Sequence, residues 1–262
     1  MSYTITIEQK QNLSLAQKWA RASTIWHKER EKRTLYKLIM HLNLVKNDKI
    51  IDVACGIGFH SLCFKNLGLD VTSSDIDDGN LKKFQEILLD KDVDIPLKNV
   101  DWIEIDKIIK GKFKAVFCLG SSITYFESWS EGNSIKIGNR EIKLIRILEN
   151  FKKLLSNEGI LIIGYSRHYY TNKNYAVVRF GNTFDAEGNH FEMNWYLHFD
   201  WIGKRKKWKC ELTDDLINDY SFELESHLYS LEEFLLICKK VFDNVEVIDL
   251  DKDYYDVFVI CK

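Results

Sequence analysis

Residues 49–75 read KIIDVACGIGFHSLCFKNLGLDVTSSD. An apolar run from Lys49 to Ala54 breaks at Gly56 and Gly58. A short amphipathic segment follows and stops at Gly68, and a second β-rich run ends in Asp75. Strand, glycine turn, helix and strand make one β-α-β unit, and its turn lies beyond the carboxyl end of the first strand, where doubly wound sheets bind ligands. Lacking Cβ atoms, Gly56 and Gly58 allow a sharp turn and let a ligand lie against the backbone. An acid at the end of the second strand can accept two hydrogen bonds from a ribose diol, so Asp75 asks for vicinal hydroxyls and no 2′-phosphate. A dinucleotide site wants G-x-G-x-x-G, but Ser61 stands at the third glycine position.

The rest of the chain repeats the alternation. Residues 13–42 read as helical, with Leu35, Ile39 and Leu42 on one face. GNLKKFQEILLD is helical, KNVDWIEID is strand-like, and KFKAVFCLG is nearly all apolar, as buried parallel strands are. REIKLIRILENFKKLLSNEG reads as an amphipathic helix closed by Gly159, and ILIIGYS as a fifth strand. After Tyr165 the period changes. Residues 174–225 alternate polar and apolar between the turns DAEGN and WIGKRKKW, which predicts antiparallel hairpins. SLEEFLLICKKVF then opens with Ser230 and Glu233 in a capping box, and NVEVIDL and YDVFVICK close the chain as a strand pair. The expected fold is α/β: a doubly wound, mostly parallel seven-stranded sheet with an antiparallel β insertion as a lid. The expected division is a helical segment over residues 1–45, an α/β domain over 46–168 and 229–262, and a lid over 169–228.

Composition narrows the function. A net charge of −2 over 262 residues gives no field that would draw nucleic acid or anionic lipid. KRKKWK at 204–209 reads as a solvated hairpin tip. No run approaches the roughly eighteen apolar residues of a membrane span, and the first residues lack the basic and apolar regions of a secretory signal. The six cysteines form no C-x-x-C pair and several sit in apolar runs, which predicts reduced, buried thiols in a cytoplasmic protein and neither a disulfide framework nor a metal site.

Asp52 ahead of the turn makes DVACGIG a D-x-x-x-G-x-G pattern, which resembles motif I of class I S-adenosylmethionine (SAM) methyltransferases. DVACGIG, VTSSD, VDWIEID, VFCLGSS and GILIIGYSRHYY, in that order, are similar to segments of the glycine N-methyltransferase and glycine/sarcosine methyltransferase family over about residues 25–170. The resemblance implies a Rossmann-like methyltransferase with SAM as cofactor. It implies that Arg33 holds the SAM carboxylate, that Ala54, Gly56 and Gly58 line its methionine part, and that Asp75 takes the ribose. Ile76, Asp101 and Trp102 flank the adenine, and Leu119 offers a backbone contact. On the acceptor side it implies Arg167 on the substrate carboxylate, with Ser121 and Trp26 at positions where the family has asparagine and tyrosine. Tyr196, Tyr125, Tyr165, Tyr169 and His227 are further candidates for the pocket wall, whereas His60 reads as an ordinary first-turn residue of the helix after the glycines. The implied reaction is methyl transfer to the amine of a small amino acid, with no nucleic-acid or membrane partner and a homo-oligomer left open. Two alternatives stay open: methylation of another small molecule, peptide or secondary metabolite, and an RNA-binding module on the same fold.

Overall fold

The structure is a computed structural model that describes residues 18, 29–129, 139–167, 174–179, 183–184, 190–214, 218–252, 254 and 256–262. Helix α1 (Glu29–His41) precedes strand β1 (Lys49–Asp52), and α2 (Phe59–Asn66) leads to β2 (Asp70–Asp75). Then follow α3 (Asp78–Lys91), β3 (Leu97–Asn99), the single turn α4 (Ile105–Ile108), β4 (Phe113–Cys118), α5 (Arg140–Leu154) and β5 (Leu155–Ser166). After strands β6 (Tyr175–Arg179), β7 (Thr183–Phe184), β8 (His190–Asp200), β9 (Arg205–Asp214) and β10 (Asn218–His227), the chain returns through α6 (Leu231–Cys238), β11 (Val245–Ile248) and β12 (Asp256–Cys261).

The main sheet has seven strands in the order β11-β12-β5-β4-β1-β2-β3, parallel except where β12 runs against β5 and β11. Its central strands β4, β5 and β12 are largely apolar because both faces are covered. Ile50, Phe117, Ile162 and Phe258 face α1, α2 and α3 through Leu35, Leu38, Phe64 and Phe84. Ile51, Val116, Leu161 and Val259 face α5 and α6 through Leu148, Phe151 and Phe234. This second cluster also contains Met193, Leu197, Trp208 and Phe222 from the antiparallel sheet β10-β9-β8-β6, so the insertion shares the core of the α/β layer.

Two expectations need local correction. Helix α5 ends at Leu154, and Gly159 lies inside β5. The pairing jumps from Phe113 with Leu155 to Ala115 with Ile160, a bulge that brings the backbone close to β4. A Cβ at Gly159 would lie 2.8 Å from the Phe113 carbonyl oxygen, so this glycine permits a strand crossing and does not cap a helix. In the third strand-like stretch only Leu97–Asn99 pairs, and Trp102 belongs to the turn that follows. Of the predicted first helix, Glu29–His41 is described, with Leu35 and Ile39 buried as expected.

Candidate active site

The loop after β1 is shaped by two glycines with positive φ, 53° at Gly56 and 90° at Gly58. Gly58 precedes α2 and is buried; a Cβ there would sit 2.0 Å from the Phe84 ring of α3. The loop can therefore lie flat on the helix layer only without a side chain at that position. Asp52 anchors it from below. This fully buried carboxylate accepts from Ser61 Oγ at 2.8 Å, and Ser73 Oγ donates to Ser61 at 2.8 Å. Burial raises the Asp52 pKa. Ser61 thus ties α2 to β1 at the position where a dinucleotide site carries its third glycine.

Asp75 faces the loop across the ends of β1 and β2. The Gly56 N–H donates to Asp75 Oδ2 at 2.8 Å and the Asp77 N–H to Oδ1 at 2.9 Å. Each oxygen keeps a further lone pair, so the pinned carboxylate can accept two more bonds, one per oxygen. Burial outweighs these two donors and lifts the Asp75 pKa to about 6. Trp102 closes this end of the cleft. Its Nε1–H donates to the Val53 carbonyl at 2.6 Å, its ring meets Phe151 edge-on at 5.5 Å, and Asn150 of α5 donates to its carbonyl at 3.1 Å. Ile76, 53% exposed, and Asp101, which accepts from the Ile103 N–H at 2.9 Å, complete the rim. Asn80, at the start of α3, also lines this end, and its buried Oδ1 has no hydrogen-bond partner.

The same cleft, about 390 Å³, runs on past β4. Leu119 and Gly120 lead to Ser121 and a 3₁₀ turn over Ser122–Tyr125. Beyond it the wall is aromatic. Tyr125 lies 5.8 Å from Trp129 and 6.5 Å from Trp208, and Trp208 lies 5.2 Å from Trp195. Lys206 of β9 enters this chamber with its Nζ 5.3 Å from the centre of the Tyr125 ring, and only 6% of the residue is exposed. Glu127, also in the wall, accepts from Lys143 at 3.1 Å and meets His227 Nε2 at 3.0 Å. Burial holds the His227 pKa down to about 4, so the imidazole is neutral at pH 7 and its Nε2–H donates to Glu127.

The cleft gathers Ala54, Gly56, Asp75, Ile76, Asp101, Trp102, Leu119 and Ser121, all picked out from the sequence. Gly58 supports it from beneath. Arg33 sits on the exposed face of α1, outside the cleft lining, and Trp26 and Tyr169 lie outside the described residues. Tyr165 is core: fully buried, its hydroxyl donates to the Tyr229 carbonyl at 2.9 Å.

Arg167 and Tyr196 are directed elsewhere. The Arg167 guanidinium grips the Asp249 carboxylate with both Nη atoms, and also donates to the carbonyls of Tyr254 at 2.6 Å and Asp251 at 2.8 Å. Four contacts occupy its fork on the β11–β12 connection, away from the cleft. Tyr196 alternates with Trp195 and Leu197, which line the cleft, so it points to the opposite face of its sheet. There its hydroxyl helps hold down the Glu211 pKa, behind the larger effect of Lys209.

Several lining residues were not picked out, Lys206, Asp256 and His60 among them. Lys206 was read as part of a solvated tip, yet its strand alternates and puts it with Trp208 on the buried face. Asp256 opens β12, and His60, read as an ordinary first-turn residue, is 8% exposed and lines the cleft. The polar residue heading an apolar strand was the signal available for Asp256.

Residues 20–117 match the family model described as tellurite resistance protein TehB. A glycine/sarcosine N-methyltransferase of Aphanothece halophytica is 27% identical over 189 residues, covering 72% of this chain and 60% of that protein. One from Parasynechococcus marenigrum is 31% identical over 120 residues, or 46% of this chain and 38% of that protein. The chain thus spans less than two thirds of the length of these curated relatives. Among solved structures, SAM-bound CalS10, an amino pentose methyltransferase from Micromonospora echinaspora, superposes with a TM-score of 0.70 at 15% identity, covering 95% of this chain and 98% of that one. A glycine loop after β1, an acid ending β2 and a sheet whose last strand runs antiparallel in sixth place give this chain the Rossmann-like fold of the class I SAM-dependent methyltransferases, and over 189 residues it resembles a glycine/sarcosine N-methyltransferase in sequence.

Proposed function

We propose that this chain transfers a methyl group from SAM to the amine nitrogen of a small acceptor that carries a carboxylate. One observation carries the reading: the pinned Asp75 carboxylate opens into the same cleft as an aromatic chamber holding a buried lysine. The first half fits the nucleoside. Asp75 has acceptor capacity left for two hydroxyls, Asn80 Oδ1 is a buried acceptor in want of a donor, and Trp102 and Ile76 offer apolar surface to a base. SAM brings an activated methyl group, so the protein's part is alignment and exclusion of water. Tyr125, Trp129, Trp195 and Trp208 exclude water from the second half, and Lys206 there suits an anionic group on the acceptor. The similar proteins' names give glycine and sarcosine as their acceptors, which fits an amino acid here.

The breadth of the aromatic wall favours a second reading, an amine on a larger ring-bearing small molecule. Incubation with SAM and a panel of amino acids, simple amines and amino sugars, read as S-adenosylhomocysteine release, separates the two. Turnover confined to amines that carry a carboxylate supports the first. Equal turnover of uncharged amino sugars replaces it with the second, and release from no amine removes both.

A further inference from the structure

Asn80 is the third residue of α3 and only 1% exposed, yet it lines the cleft. Two hydrogen bonds fix where it stands. The Asn80 N–H donates to Asp77 Oδ1 at 2.8 Å, and the Asp77 N–H donates to Asp75 Oδ1 at 2.9 Å. The cap of α3 thus locks Asn80 to the carboxylate that ends β2. Phe84, four residues on and therefore on the same face of the helix, is the ring that lies under Gly58. Asn80 stands one turn before it, beside Asp75 and facing the glycine loop. Its side-chain Oδ1 is buried and accepts no hydrogen bond. A buried amide oxygen without a donor costs stability, and folded chains seldom keep one. Kept at the wall of a cleft, it points to a ligand that brings the donor.

We infer that Asn80 is a specificity-determining residue for the methyl donor: its side-chain carbonyl shares the ribose diol with the Asp75 carboxylate and accepts from one of the two hydroxyls. This rests on the nucleoside reading of the cleft above and adds a second reader of the sugar. The residue type suits the place. A second carboxylate here would stand against Asp75 and repel it, whereas an amide oxygen accepts a proton bond without charge. The pair selects an intact diol. A sugar that lacks the hydroxyl leaves Oδ1 as it is in the empty protein. A phosphate at that position brings negative charge against Asp75 and no proton for Asn80. The unpaired oxygen weakens the empty fold, and binding relieves it.

Calorimetry with S-adenosylhomocysteine and its 2′-deoxy and 3′-deoxy analogues tests this on the wild type, Asn80→Leu and Asn80→Ala. Leucine keeps the size and removes the polar atoms; alanine serves where the leucine branches are not accommodated. Each variant should bind S-adenosylhomocysteine about tenfold more weakly than the wild type. With one of the two deoxy analogues that difference should vanish, because the hydroxyl that Asn80 reads is gone. The empty Asn80→Leu protein should melt no lower than the wild type, since an unsatisfied acceptor has been removed. An unchanged affinity for S-adenosylhomocysteine in both variants would overturn the inference. The same loss on all three ligands, with a lower Tm in both variants, would make Asn80 a structural residue and overturn it too. A wild type that binds neither S-adenosylhomocysteine nor SAM would instead remove the nucleoside reading on which the inference rests.

Discussion

The half of the cleft proposed for the nucleoside is made largely of backbone, and the half proposed for the acceptor of side chains. Around Asp75, the Gly56 and Asp77 amides and the two positive-φ glycines set the geometry, so a short stretch of chain specifies it. Around Lys206, residues from β4's exit loop, β8, β9 and β12 converge from distant parts of the chain. A site built from one β-α-β unit keeps its shape as long as that unit folds. A site built from many elements can change its acceptor by single substitutions and leave the cofactor end alone. The TehB family model matches residues 20–117 and so ends before most of the acceptor wall begins.

The sharpest way to break the nucleoside half is Gly58→Ala. A Cβ would strike Phe84 at 2.0 Å and occupy a φ of 90°. The strain and overpacking together should cost about 2–4 kcal/mol. A denaturant midpoint like the wild type's would show that the loop can shift.

Asp75→Ala comes next. Loss of charge-assisted bonds to the ribose should weaken S-adenosylhomocysteine binding by about 1.5–3 kcal/mol by calorimetry. The raised pKa adds a sign. A diol is held best by the ionised carboxylate, so binding should weaken as pH falls through about 6. Folding stability responds in the other direction. The folded state holds the proton more tightly than the unfolded chain, so Asp75's contribution is fully present below its ordinary 3.8 and is lost as pH rises through about 6. Flat binding from pH 5 to 8 would take Asp75 out of the ribose site.

On the acceptor side, Lys206→Met keeps most of the buried stem and removes the charge. It should raise the KM for a carboxylate-bearing acceptor at least tenfold, about 1.4 kcal/mol, with S-adenosylhomocysteine affinity unchanged. An unaltered KM would leave the chamber without an anion site at this lysine.

Arg33 and Arg167 sharpen the comparison with smaller effects. If Arg33 reaches the SAM carboxylate, Arg33→Ala should weaken SAM by about 1 kcal/mol, and Arg33→Lys should restore part of it. An unchanged Kd would confine Arg33 to the surface of α1. Arg167→Ala should lower stability by about 1 kcal/mol, because its bonds to Asp249 and to two carbonyls are partly exposed. It should leave the acceptor KM unchanged; a strong rise in KM would show that Arg167 swings from Asp249 into the cleft.

The sequence by itself determined the sheet, the crossover helices, the antiparallel insertion and the glycine loop that Asp75 faces. Each rests on local signals: apolar runs of strand length, Gly56 and Gly58 at a turn, Asp75 closing the unit, and Ser230 with Glu233 capping α6. Arg167 was placed correctly at the end of β5, but its direction depends on Asp249, which lies 82 residues away and reaches it only through the β11–β12 connection. Tyr196 missed the cleft by one residue, and in a strand one residue is the difference between two faces. Lys206 and Asp256 carried only a faint local mark, the one alternating with Trp208 and the other heading an apolar strand, because a charged residue is buried only by what the rest of the chain stacks on it. The sign of the period, which face is inward, and the partners of each long side chain are fixed by contacts between distant segments, and those only the tertiary structure decided.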